Sequence, residues 1–245
     1  MAFALFSRIP MPQFEWNENT MRYIMAAFPA VGAVLGACLC GWWLFCDWLG
    51  MDGVFIAVGL AIIPVFFTGM IHLEGYADVV DARASHASLE RKREILKDPH
   101  LGACACIALI CYQMVFVTLA SELDGGQLLS LACIPVVSRC LSGYATVTFK
   151  KFSSTGMLAA EGSTSRAGTV RAILLVIFLL AGGLMLWNDG LAGACALVAA
   201  LATLKAVSRM AQREFGGMNG DLAGYFLQMA EMVMLACIVI VGRLG

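Results

Sequence analysis

The chain has 245 residues, 60% hydrophobic and 13% charged, with a formal net charge of −1 and a mean hydropathy of +0.82. Soluble domains carry roughly 45–50% apolar and about 25% charged residues, so a globule of this length cannot hide so much apolar surface. The composition excludes a disordered chain, a nucleic-acid-binding domain and an ordinary soluble enzyme, and makes a lipid bilayer the natural solvent.

Met1 to Gln13 has no charged segment ahead of an apolar run and no clear cleavage site, so it reads as mature protein. A membrane-crossing helix needs about 20 mostly apolar residues. Seven stretches reach or approach that length, at about 24–45, 54–72, 102–120, 128–148, 171–187, 191–207 and 222–241. Gly32 and Gly36 form a G-x-x-x-G face in the first. Pro64 and Pro135 fall inside spans, where they are expected to kink the helix or free backbone carbonyls. The tight connection Asn188–Gly190 makes the fifth and sixth spans a helical hairpin. The cysteines lie in or beside apolar runs, as small packable hydrophobes. The predicted fold is all-α: one integral membrane domain over 1–245, a polytopic transmembrane helical bundle of about seven spans.

Fourteen of the sixteen Lys and Arg residues fall before span 1, between spans 2 and 3, between spans 4 and 5, or near the end of span 6. The intervening loops hold only the acids Asp47, Asp52, Glu122, Asp124 and Asp189. The positive-inside rule then puts the N-terminus and the larger loops, about 73–101, 149–170 and 208–221, in the cytoplasm.

Glu74, Asp78 and Asp81 follow span 2 at spacing i, i+4, i+7. At about 100° per residue they share roughly a 60° arc of one helix face. Like charges stacked so closely repel. A divalent cation would resolve the conflict, and oxygen ligands suit Mg²⁺ or Mn²⁺. The alternative is a solvated helix end paired with Arg83 or the Arg91–Arg93 run. Asp98, just before span 3, and Asp221, in a glycine-rich loop opening span 7, could complete such a site. Asp221 also fits as the N-cap of span 7. Arg139 is the only basic residue well inside a span and needs a carboxylate, a phosphate or a watery cavity. Glu231 in span 7 is a candidate partner. Lys205, Arg209 and Arg213 repeat every four residues, to bind phosphate or to snorkel to lipid headgroups. Carboxylates holding a metal near basic side chains suggest phosphoryl or nucleotidyl transfer.

The chain resembles the cobalamin synthase (adenosylcobinamide-GDP ribazoletransferase) family over essentially its whole length. Phe6 to Pro12 is similar to F-x-T-R-x-P-x-P, and Phe28 to Gly36 to F-P-x-x-G-x-x-x-G. His72 to Ala82 resembles H-L-D-G-L-A-D-x-x-D-G, and Glu94 to Gly102 resembles E-I-M-x-D-x-x-x-G. Ser138-Arg139 and Gly216 to Asp221 resemble the later S-R and G-G-x-T-G-D. Glu74 stands where the family has Asp; Tyr76, Ala82 and Asn219 replace Leu, Gly and Thr; Pro99-His100 replaces Ser-Arg.

The resemblance implies a Mg²⁺-dependent enzyme of the bacterial cytoplasmic (inner) membrane. Its reaction would join adenosylcobinamide-GDP to α-ribazole, or its 5′-phosphate, and release GMP. Glu74, Asp78, Asp81 and Asp221 would hold the metal, with Asp78 and Asp81 catalytic. Asp98, Arg139, Lys205 and Arg209 would meet substrate. Implied partners are the two substrates, the bilayer and other late cobalamin-pathway enzymes, with no nucleic acid. A CDP-alcohol phosphotransferase is the alternative that keeps the chemistry, since Asp78 to Arg83 partly echoes its motif. A corrinoid or anion transporter is the alternative of another class.

Overall fold

The computed structural model describes residues 1–12, 23–150, 152 and 164–244, so most of the expected 149–170 loop lies outside the described residues. Among these every regular element is helical: α1 Ala2–Phe6, α2 Ile24–Trp48, α3 Gly53–Thr68, α4 Ile71–Ala84, α5 Leu89–Ile95, α6 Ala103–Ser121, α7 Leu128–Thr148, α8 Thr164–Met210 and α9 Gly220–Gly242. A single π-helical turn, Ala211–Phe215, follows α8.

Five helical segments among the described residues are long and apolar enough to cross a membrane, and a sixth crossing arises if α3 and α4 count together. α8 is not one rod. Gly190 leaves helical geometry (φ 47°, ψ −108°). A Cβ on Gly182 would touch the Leu197 side chain at 3.2 Å, whereas fifteen residues of straight helix span about 22 Å. The arms 164–189 and 191–210 therefore fold back on each other as the expected hairpin. Counting them separately gives seven apolar arms among the described residues. The lipid-facing surface is plain on their outer sides: Trp48, Leu180, Trp187, Leu191 and Val198 are all exposed.

Contacts between elements sort the loops to two ends. Gly53 abuts Ser121, Asn188 donates to the Gly126 carbonyl (2.8 Å), and Arg243 pairs with Glu122 (2.9 Å) at one end. At the other, the Met218 amide bonds the Lys150 carbonyl (2.8 Å), Arg83 reaches Glu214, and Arg8 lies over Gly69. The basic loops meet at this second end, as their alternation in sequence implies.

α2 packs on α7, α7 on α8, α8 on α9, and α9 on α4. The G-x-x-x-G face explains the first contact. A Cβ on Gly32 would collide with the Pro135 carbonyl and stand 2.9 Å from the Arg139 side chain, and one on Gly36 would collide with the Ala132 carbonyl. α3 and α7 run through Pro64 and Pro135 with the helix unbroken. The chain turns after α3 instead. Gly69 (φ 65°) and Met70 (φ 72°) are both left-handed, and α4 leaves α3 at 94°. Span 2 therefore ends at Thr68 rather than at residue 72, and α4 runs on at nearly a right angle to α3, packed against α9.

Candidate active site

α4 presents Glu74, Asp78 and Asp81 on one face because the helix holds the predicted spacing without a break. Glycines bring it against α9. A Cβ on Gly75 would stand 2.8 Å from the Asp221 carbonyl oxygen, and one on Gly224 would stand 3.2 Å from the His72 carbonyl oxygen. Backbone meets backbone, and Asp221 joins the acids of α4.

Asn219, not Asp221, caps α9. Its Oδ1 accepts from the Leu222 amide (2.9 Å), while its Nδ2 donates to Asp221 Oδ2 (2.7 Å). The capping alternative for Asp221 is thus replaced: the carboxylate stands in the first turn, held by Asn219. Asp81 is seated against Gly102, the N-cap of α6, where a Cβ would run into its carboxylate. The positive end of the α6 dipole favours an anion there.

The electrostatics of this face are those of crowded acids. Burial, then the charges of Asp221, Glu74 and Asp81, push the Asp78 carboxyl up to about 6. No lysine or arginine is among the causes. The basic residues proposed as partners are engaged elsewhere: Arg83 and Lys92 with Glu214 (3.3 and 2.7 Å), Arg91 with Glu94 (2.8 Å), and Arg93 with the Phe215 carbonyl (2.8 Å). Among the described residues none of Glu74, Asp78, Asp81 or Asp221 forms an ion pair, so the pairing of this face with Arg83 or the Arg91–Arg93 run is not what the fold builds. No three His, Cys, Asp or Glu side chains among the described residues converge on one point as a finished cage. The acids form an open face of hard oxygen donors, a chemistry that suits Mg²⁺ better than Zn²⁺.

The four residues expected to meet substrate are not gathered here. Asp98 is exposed in a local turn with His100, whose amide and Nδ1 contact its Oδ1 at 3.0 and 2.7 Å and hold the acid below its ordinary value. Arg139 is 1% exposed and neutralised inside the bundle. Its Nη1 donates to Glu231 Oε1 (2.8 Å) and the Pro135 carbonyl (3.0 Å), and Ser138 Oγ donates to the same Glu231 oxygen (2.7 Å). Of the partners open to it, Arg139 has taken the carboxylate with Nη1, while its Nε has no hydrogen-bond partner. Lys205 and Arg209 line a separate groove.

Three features escaped the sequence reading. Tyr76 stacks on Tyr225 (5.5 Å, 8°) and tilts against Tyr112 (5.2 Å), fixing α4 to α9 and α6 behind the acids. The spacing of Tyr76 and Tyr225 relative to Asp78 and Asp221 was the available signal. Glu214 gathers Arg83 and Lys92 and so ties α4 and α5 to the π turn. His72 is buried between Phe6 and Phe28, with its Nε2 unpartnered. With Arg139 and Glu231 it lines a cavity of about 20 Å³, room for a single water.

The profile of a family described as cobalamin-5-phosphate synthase matches residues 1–239. An adenosylcobinamide-GDP ribazoletransferase of Lachnoclostridium phytofermentans is 36% identical over 242 residues, covering 98% of this chain and 92% of the relative. Proteins of the same name from Clostridium botulinum and Corynebacterium efficiens are 32% and 34% identical, over 97% and 94% of this chain and 96% and 86% of theirs. No solved structure matches the chain.

Proposed function

We propose the function that follows from one premise: this chain belongs to the cobalamin-5-phosphate synthase family. It is a multi-pass membrane transferase of the ribazoletransferase class, acting at the final step of cobalamin synthesis. Its substrates are adenosylcobinamide-GDP and α-ribazole or α-ribazole 5′-phosphate. A ribose hydroxyl oxygen of ribazole bonds to the phosphorus that carries cobinamide. The bond from that phosphorus to the bridging oxygen breaks, and GMP leaves with the oxygen. The hydroxyl proton passes to Asp78 or Asp81, which stand on the face the diphosphate would meet.

The observation that carries the site is the gathering of four carboxylates without a cation partner around a raised Asp78. Glu74, Asp78, Asp81 and Asp221 would hold Mg²⁺, which when bound neutralises phosphate oxygens and stabilises the leaving group. Gly75 and Gly224 keep α4 and α9 in register, Asn219 aims Asp221, and the start of α6 fixes Asp81. This end of the bundle carries the basic loops, so it faces the cytoplasm of a bacterial inner membrane.

The test is GMP release by purified protein in lipid, supplied with adenosylcobinamide-GDP and α-ribazole, with Mg²⁺ and then with EDTA. Equal amounts of GMP and cobalamin product, formed only with metal, are expected. Metal-independent turnover would remove the carboxylate site from the reading. Absence of any turnover from folded protein, with ribazole phosphate also tried, would remove the substrate assignment.

A further inference from the structure

We propose that the groove beside the second arm of α8 is a binding site for the phosphate headgroup of an anionic membrane phospholipid. The groove has a volume of about 450 Å³, and Phe149, Leu204, Lys205, Ser208, Arg209 and Arg213 are among the residues that line it. Its floor is apolar and its rim carries three cations. Lys205, Arg209 and Arg213 are exposed, and among the described residues none is in an ion pair or hydrogen bond. Ser208 Oγ is buried without a partner on the same wall. A groove with three free positive charges and an idle hydroxyl has the donors for a phosphate and no acid to repel it.

The occupant is identified by what the same helix face does about two and four turns away. Leu191 and Val198 are 72% and 67% exposed, so they face acyl chains. At about 100° per residue, positions 191, 198, 205 and 209 fall within roughly a 40° arc. One stripe therefore passes from bare apolar surface into the cationic groove, at the end where the basic loops meet. A phospholipid has that order of chemistry along its length: chains over Leu191 and Val198, phosphate between Lys205 and Arg209. A soluble nucleotide would use the cations and leave the apolar stripe unexplained. The acids of α4 and α9 belong to a different constellation, since none of them lines this groove.

Native mass spectrometry of the protein released from nanodiscs of mixed phosphatidylglycerol and phosphatidylcholine tests this. Wild-type protein should retain phosphatidylglycerol over phosphatidylcholine by tenfold or more. The K205Q/R209Q/R213Q variant should lose that preference, whereas Arg91→Gln, which removes a cation elsewhere on the basic end, should keep it. Equal preference in the triple variant and wild type would overturn the site. Should the triple variant fail to fold, a photoactivatable phosphatidylglycerol cross-linked to wild-type protein should label residues 198–213, and labelling confined to other helices overturns the proposal. GDP added at millimolar concentration should leave the retained lipid in place; its one-for-one displacement of lipid would assign the groove to a nucleotide instead. None of these readouts depends on turnover.

Discussion

Gly75 and Asp221 touch through their backbones, 146 positions apart in sequence, and that contact is what assembles the acid face. With any Cβ at position 75, the Asp221 carbonyl at 2.8 Å and its Cα at 2.9 Å would have to give way. Neither is a flexible side-chain end, so α4 and α9 must separate.

Gly75→Val should therefore leave a membrane-inserted protein with little activity. A displacement of about 1 Å can cost on the order of 100-fold in rate. GMP release per folded molecule, with folding followed by detergent-resistant elution as a single species, gives the measurement. Activity within threefold of wild type would show that Asp221 is not needed beside Asp78.

Asp78→Asn removes one charge from the centre of the cluster and one donor from the proposed metal face. Turnover should fall by roughly 10²–10⁴-fold, and Mn²⁺ binding followed by electron paramagnetic resonance should weaken with it. Weakened turnover with unaltered Mn²⁺ binding would assign Asp78 to proton transfer alone.

The raised Asp78 also sets a pH dependence. Its folded value of about 6 lies above the ordinary 3.8, so the folded state holds the proton more tightly than the unfolded state. In EDTA, thermal stability should then rise as pH falls from 7.5 through 6 toward 4, because protonation relieves the repulsion among the crowded, partly exposed carboxylates. Mg²⁺ should stabilise the protein most at pH 7.5, where the acids are ionised, and Asp78→Asn should flatten the EDTA profile. A profile in EDTA that falls with acidity over the same window would contradict the crowding of these carboxylates.

Glu231→Ala leaves the Arg139 guanidinium buried and uncompensated. Breaking one side of a buried pair typically costs about 3–5 kcal/mol, and the thermal midpoint should drop accordingly. Replacing both residues by apolar ones (Arg139→Met with Glu231→Leu) should recover most of the loss. If the double variant instead inserts and melts like wild type but loses turnover, Arg139 acts on substrate after all.

Local physics made much of the molecule legible beforehand. Apolar length located five of the seven arms to within three residues, with the fifth beginning at Thr164 rather than 171, and Asn188–Gly190 was readable as a turn because too few residues remain for anything longer. The i, i+4, i+7 acids and the Gly32/Gly36 face needed only helical periodicity, which is a property of neighbours in the chain. Hydropathy carries span 2 past its end because it is blind to direction. Apolar side chains continue past Thr68, but two left-handed residues at 69 and 70 turn the backbone through 94°.

Tertiary packing alone decided which chemistry meets which. Asp221 belongs with Asp78 because glycines at 75 and 224 let two backbones touch, and no spacing along the chain encodes that approach. Its capping role passed to Asn219, whose side chain also holds it. Arg139 was legible as a buried charge in need of a partner, while the choice of Glu231 over a phosphate depended on how α7 lies against α9. The basic stripe of α8 had two readings in sequence because charge and period are the same for a substrate and a lipid. Its separation from the acids, and its continuity with Leu191 and Val198, exist only once the helices are packed. Sequence determines what each helix face offers, since that depends on neighbours a few residues away. Which faces are shared is set by close contact between residues far apart in the chain, and only the folded bundle contains that information.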